Sequence, residues 1–160
     1  MRTEKLVRPI LPACLLATGR QCLVVGGGDV ATRKVGHLLD AGAQVAVVAT
    51  AATPKLTALA KAGKIHVSKR RFAAADVKGR FLVFATTDSK VVNKRVLAAC
   101  RRHGVLCSAS DSNWVDGDFV TPAITRVGDL VVSVSTGGRS CSRAKIVKDR
   151  IADMLGTIAE

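Results

Sequence analysis

Residues 22–34 read CLVVGGGDVATRK. Within them Gly26, Gly28 and Ala31 fit the spacing G-x-G-x-x-A, a variant of the dinucleotide-binding fingerprint. Each position has a physical task. Gly26 lets the chain turn sharply out of a strand. Gly28 has no Cβ, so a pyrophosphate can come close to the backbone. Ala31 is small enough for a helix to pack on that strand. The helix start adds N–H groups without partners and a partial positive charge, which suit phosphate. The chemistry implied is the binding of a dinucleotide. A glycine turn without a ligand can carry the same letters, but an apolar run before it and a helical pattern after it favour the nucleotide.

Thr86, Thr87 and Asp88 follow a second apolar run, FLVFA. Loops at the carboxyl ends of parallel strands face the ligand crevice, so the two threonines can offer hydroxyls and N–H groups to a cofactor, or cap and turn into the next helix. Cys14, Cys22, Cys100, Cys107 and Cys141 include no C-x-x-C pair and read as reduced, mostly buried thiols. His37, His66 and His103 have no metal-ligand spacing, so no metal site is expected. Lys and Arg total 25 against 12 acidic residues, a net charge of +13. That excess suits a polyanion: nucleic acid, an anionic membrane or a multiply charged small molecule. With four Phe, one Trp and no Tyr, the chain lacks stacking platforms for single-stranded nucleic acid, and no nucleic-acid-binding motif accompanies the charge. The apolar patch near the start is broken by Pro9 and Pro12 and is too short to span a bilayer. Neither a signal peptide nor a membrane partner is expected, and the expected compartment is the cytoplasm.

The elements that must position these groups follow from hydrophobic periodicity. Strands are expected at 22–25, 44–49, 65–67, 81–85 and 105–108, and helices at 29–41, 54–62 and from Asp88, as a possible cap, to His103. Residues 11–16 are expected to add an edge strand or cover the sheet, since Pro9 and Pro12 bar them from a central strand. The first helix should bury Val30, Val35, Leu38 and Leu39. The second strand ends Val48, Ala49, Thr50, with neither the acidic residue that often holds ribose hydroxyls nor an Arg ready for a 2′-phosphate. This alternation predicts an α/β fold, a doubly wound parallel sheet of Rossmann type. A small α+β region follows: short runs at 119–121, 124–126 and 130–135, a hairpin signal at Gly128-Asp129, and a helix at 140–158 with the stripe Ala144, Val147, Ile151, Met154, Leu155 and Ile158. Three short strands and one helix bury little alone, so a homodimer built on this region is expected. The division expected is 1–112 for the NAD-binding domain and 113–160 for dimerisation and substrate binding.

The segments LPACLLATGRQCLVVGGGDVATRKVGHLLDAGAQVAVV, FATTDSKVVNKRV, SASD and DFVTPAITRVGDLVVSVSTGGRS occur in this order. Together they resemble the precorrin-2 dehydrogenase module of siroheme synthases, over roughly residues 11–158. The resemblance implies NAD-dependent dehydrogenation of precorrin-2 to sirohydrochlorin in siroheme biosynthesis, an interlocked dimer, and in some members insertion of Fe²⁺. Carried over by motif, the cofactor contacts are Gly26, Gly28, Asp29 and Val30, then Thr50 and Ala51, then Thr86 and Thr87, with Asn93 as the asparagine of an ATDD-x-x-x-N segment; this chain reads ATTD, with four residues between Asp88 and Asn93. Asp111 matches the carboxylate of an N-V-V-D block and is the expected catalytic residue. Thr136, Gly137 and Gly138 form the late glycine turn. Arg126, Arg139, Arg143 and Lys145 around it are the candidates for holding a polycarboxylate tetrapyrrole. The chain departs from the pattern at Ser108, where relatives carry the block's asparagine, and at Cys141, where a proline often follows. A non-catalytic NAD(H)-sensing module is the alternative reading; turnover of precorrin-2 with NAD⁺ separates the two.

Overall fold

The computed structural model describes residues 9–156. The described residues divide into two units, Cys14–Phe119 and a smaller one of residues 9–13 and 120–156. The boundary thus falls beyond the expected residue 112. Asp118 accepts the Cys107 N–H through its carboxylate at 2.8 Å, and the Phe119 ring meets Phe84 edge-on at 5.4 Å. Those contacts hold the loop after the last parallel strand within the larger unit.

The larger unit is a five-stranded parallel sheet, β1 (Gln21–Val25), β2 (Gln44–Ala49), β3 (His66–Lys69), β4 (Leu82–Ala85) and β5 (Leu106–Ala109), in the order β3-β2-β1-β4-β5. It is the expected α/β fold. Side-chain alternation splits the core in two. Cys22, Val24, Val45, Val47 and Phe84 face α1 (Asp29–Asp40) and α2 (Pro54–Lys61). Leu23, Val25, Val48, Val83 and Ala85 face α3 (Lys90–His103). Leu23, Val24 and Val25 are fully buried, each worth about 1.5–3 kcal/mol over exposure. The order reverses between β1 and β4, and this is where an open parallel sheet leaves its crevice.

Several local expectations shift. The stripe of α1 is Ala31, Lys34, Val35 and Leu38, while Val30 stays 38% exposed at the mouth of the crevice. Lys34 is buried with its ammonium 5.1 Å from the Phe84 ring centroid, so a cation–π contact admits a lysine where polarity alone argues for solvent. The cap of α3 is Ser89, whose Oγ accepts from the Val92 N–H at 3.3 Å, and not Asp88. Residues 11–16 form no strand, and Leu11 and Leu16 stand exposed. Cys22, Cys100 and Cys107 are buried, and Cys14 and Cys141 are exposed. Burial pushes the Cys22 thiol up. A hydrogen bond with Cys100, then burial, pushes the Cys107 thiol up strongly, so both remain protonated. Among the described residues no helix is long and apolar enough to cross a membrane.

In the smaller unit β6 (Ala123–Val127) and β7 (Leu130–Val134) pair antiparallel around Gly128 and Asp129, as the turn signal predicts, and α4 (Cys141–Gly156) packs on this hairpin. The run 119–121 forms no strand. Of the expected α4 stripe only Ala144 is buried; Val147 and Met154 are exposed, and Ile158 lies outside the described residues.

The segment after β3 is pinned by one ion pair. Arg70 donates to both carboxylate oxygens of Asp76, at 2.6 and 2.8 Å, and the Ala73 N–H reaches the same carboxylate at 2.9 Å. Val77, next along, is fully buried. The Arg70 hydrogen bond holds the Asp76 carboxyl below its usual range. A carboxylate whose folded pKa lies below its unfolded value, about 3.9, stabilises the fold above that value and loses the contribution as pH falls through the folded one. Asp76→Asn is expected to lower the urea midpoint at neutral pH and to match wild type near about pH 2. An equal gap at both pH values, followed by circular dichroism, contradicts this role.

Candidate functional site

A cleft of about 910 Å³ opens at the carboxyl ends of β1, β2, β3 and β4. Its floor is the turn after β1. Gly26 has φ +124°, and a Cβ there would come within 2.7 Å of the Thr86 carbonyl oxygen, so Gly26 is required for conformation and for space. Gly27 is tighter: a Cβ would lie 1.9 Å from the Ala51 carbonyl oxygen. The Gly27 oxygen accepts the Thr53 N–H at 2.9 Å, and the Gly26 N–H donates to Val48 at 2.9 Å. The turn is therefore stitched to the loop after β2. At Gly28 a Cβ would meet nothing within 4 Å, because that position faces the open cleft. Ala31 is fully buried under the helix. All three fingerprint positions thus have the surroundings their assigned tasks require.

Gly28 is the N-cap of α1 and no side chain caps the helix. The first amide to bond back is that of Thr32, to Gly28 O at 2.9 Å, which leaves the amides of Asp29, Val30 and Ala31 without intrahelical acceptors. Asp29, Val30, Thr50 and Ala51 all line the cleft. Thr53 caps α2 through Leu56 N–H at 3.3 Å and meets Thr32 hydroxyl to hydroxyl at 2.8 Å.

Thr86 and Thr87 also line the cleft, but their polar atoms are spent inside the protein. The Thr86 hydroxyl and N–H both donate to Val25 O, at 2.9 and 2.8 Å. The Thr87 hydroxyl donates to Ser89 O at 3.2 Å and to Asn93 Oδ1 at 2.8 Å, and its N–H to the same oxygen at 3.1 Å. Their alternative reading, as groups that shape the turn, is the one realised; the cofactor would meet their surfaces, not their donors. Asn93 is corrected outright. It is fully buried and absent from the cleft wall. Its amide nitrogen donates to Thr87 O at 2.8 Å and to Asp111 Oδ2 at 2.7 Å. It is a positioning residue that joins the turn after β4 to the loop after β5. Asp111, expected to face the crevice, does not line it and is tied through Asn93 to Thr87, which does.

The candidates in the smaller unit cluster at the start of α4. Gly137 and Gly138 both have left-handed backbones, φ 61° and 79°. The Thr136 hydroxyl accepts the Ser140 N–H at 2.9 Å and donates to Ser140 O at 3.0 Å. Arg139 Nε–H donates to Thr136 O at 3.2 Å, and Lys145 and Lys148 share the one Asp149 carboxylate. Arg126 and Arg143 are exposed, with no side-chain bond among the described residues.

Sequence reasoning passed over Gly27, Thr53, Arg70, Arg71, Phe72 and Arg95, all of which line the cleft. The signal was present for three of them: Arg70, Arg71 and Phe72 follow β3 at its carboxyl end, and the rule that singled out Thr86 applies equally there. It also corrects the view that no arginine stands at this end of the sheet.

Comparison with known proteins agrees with this geometry. A family described as "Putative NAD(P)-binding" matches residues 13–123. The siroheme synthase of Methylococcus capsulatus is 41% identical over 153 residues, 93% of this chain and 32% of that protein. The siroheme synthase of Nitrosococcus oceani is 37% identical over 145 residues, 91% of this chain and 31% of that protein. The chain therefore spans about a third of the length of these curated relatives. The solved structure of SirC, precorrin-2 dehydrogenase, is 28% identical with a TM-score of 0.76, and the match covers 94% of this chain and 72% of that one.

The two neighbouring glycines should separate in experiment. Gly27→Ala forces a methyl against a backbone carbonyl and is expected to cost about 1–3 kcal/mol. Gly28→Ala, in open space, should stay within about 0.5 kcal/mol of wild type. Urea unfolding of both variants checks the ordering, and an equal cost contradicts the interlocked turn.

Proposed function

The chain belongs to the NAD(P)-binding family matched over residues 13–123, and on that premise we propose that it is an NAD-dependent precorrin-2 dehydrogenase, forming sirohydrochlorin on the way to siroheme. The observation that carries the cofactor is the cleft floor: Gly28 open to space, Gly26 and Gly27 with none, and three free helix amides beside them. The residues fit a dinucleotide, with the pyrophosphate over Gly28 and the amides of Asp29 and Val30, and the adenosine half toward Thr50 and Ala51. When bound, NAD⁺ supplies the acceptor for a hydride. Support for the substrate comes from the likeness to SirC and the siroheme synthases.

We propose the following roles for the chain's own residues. The α1 amides and Gly28 would hold the phosphates of the cofactor, and Thr86 and Thr87 would give its nicotinamide half a fixed surface. Asn93 holds Asp111 by a 2.7 Å bond. Asp111 is the proposed base for the proton that leaves the macrocycle with the hydride. Arg126 and Arg143 are the proposed partners for substrate carboxylates, and the net charge of +13 draws such a polyanion in. Fe²⁺ insertion is proposed as a second activity, with Fe²⁺ and sirohydrochlorin as its substrates.

Two variants test the reading. Gly28→Val should fold and bind NAD⁺ at least about tenfold more weakly, about 1.4 kcal/mol, by calorimetry. Asp111→Asn should bind NAD⁺ normally while precorrin-2 oxidation, followed by absorbance, slows about 10²–10⁴-fold. Normal turnover in that variant reduces Asp111 to a loop anchor. Absence of turnover in the wild type leaves the sensing module.

A homodimer is part of the proposal. Leu130 and Val131 on the hairpin and Ile146, Val147 and Met154 on α4 are exposed, which a second copy would cover. Ile151→Asp with Leu155→Asp is expected to yield monomers, since burying unpaired charge is costly. A monomeric wild type in sedimentation velocity contradicts it.

A further inference from the structure

We infer that the end of the cleft formed by β2 and β3 accepts a 2′-phosphate, so that Arg71 makes NADP⁺ a ligand alongside NAD⁺. The inference rests on the dinucleotide reading and adds the residue that sets the choice between the two cofactors.

The argument begins with register. β2 and β3 pair in parallel with Ala49 opposite Lys69. Thr50 and Ala51 therefore leave the sheet beside Arg70 and Arg71, and all four residues line the cleft. A carboxylate at the end of β2 bonds both ribose hydroxyls and repels a 2′-phosphate. Here that end carries Thr50, Ala51, Ala52 and Thr53. The acidic residues of the cleft wall, Asp29 and Asp88, follow β1 and β4 instead.

The two arginines have different duties. Arg70 is neutralised by Asp76 through two bonds, and the same guanidinium donates to the Arg71 carbonyl at 3.1 Å. Arg70 thereby fixes the backbone from which Arg71 projects. Arg71 itself is exposed and has no ion pair among the described residues. This end of the cleft thus holds one uncompensated guanidinium, and its planar fork matches a phosphate with two parallel donors. Phe72, partly buried on the same wall, provides apolar surface of the kind a purine needs. An arginine present only for solubility would not be expected to distinguish a 2′-phosphate from a 2′-hydroxyl.

Calorimetry on the whole chain tests this with NAD⁺, NADP⁺, 5′-AMP and 2′,5′-ADP, the last two isolating the adenosine half. Wild type is expected to bind NADP⁺ within about tenfold of NAD⁺, and 2′,5′-ADP more tightly than 5′-AMP. Arg71→Gln should weaken NADP⁺ and 2′,5′-ADP by at least about tenfold and leave NAD⁺ within about twofold. Lys64→Gln, which removes an exposed charge before β3 and away from the cleft wall, should change none of the four. Strong NAD⁺ binding with NADP⁺ more than about a hundredfold weaker overturns the inference and spares the dinucleotide reading. So does an equal loss of both dinucleotides in Arg71→Gln, which marks general attraction of anions. Failure of wild type to bind either dinucleotide overturns the underlying reading itself.

Discussion

The shape of the cleft depends on how little room the turn after β1 has. At Gly26 and Gly27 the backbone is pressed against the loops that leave β4 and β2, with a carbonyl oxygen where each missing Cβ would stand. Three hydrogen bonds lock this arrangement: Gly26 to Val48, Thr53 to Gly27 and Thr86 to Val25. The ends of three parallel strands are therefore tied at one point. Beside that crowded turn, Gly28, Asp29 and Val30 line the open cleft. An anion site made of backbone needs this rigidity, because amides that must reorganise on binding lose much of their advantage.

Unlike the α1 amides, the side-chain polar atoms behind the turn after β4 are satisfied within the protein. A buried amide without partners is costly, and Asn93 avoids that cost by using its oxygen and nitrogen on Thr87 and Asp111. The turn after β4 and the loop carrying Asp111 are thereby joined through one buried side chain. A carboxylate held by a buried amide keeps its orientation, as the proposed role of Asp111 requires.

What could be read from the letters was whatever depends on local chemistry. The buried strands appear as unbroken apolar runs because helices cover both faces, and β2 is found at 44–49 as expected. Gly26, Gly28 and Ala31 reveal their tasks because their sizes alone define them. Hidden from the sequence was anything decided by tertiary partners. Lys34 looks like a solvent residue until the Phe84 ring is beside it. Asn93 looks like a ligand contact until its four bonds are traced inward. Gly27 sits between two fingerprint glycines with no rule of its own, and only the Ala51 carbonyl explains it. Lys145 looks like a substrate cation until Asp149, one turn on, takes it.

The large positive charge behaves in the same way. A net of +13 raises encounter rates with any polyanion, but beyond a Debye length of about 8 Å at physiological salt it is screened and cannot tell one anion from another. Discrimination has to come from cations whose charge is not already balanced by a neighbour. Around the cleft Arg70 is balanced by Asp76 and serves as structure. In the smaller unit Lys145 and Lys148 share Asp149, and Arg139 Nε–H donates to the carbonyl of its own turn. Among the described residues the exposed guanidinium forks include Arg71 and Arg95 on the cleft wall and Arg126 and Arg143 on the hairpin and α4. A planar fork of this kind can hold an anion through two parallel donors, so a change of one such side chain can alter which anion is held.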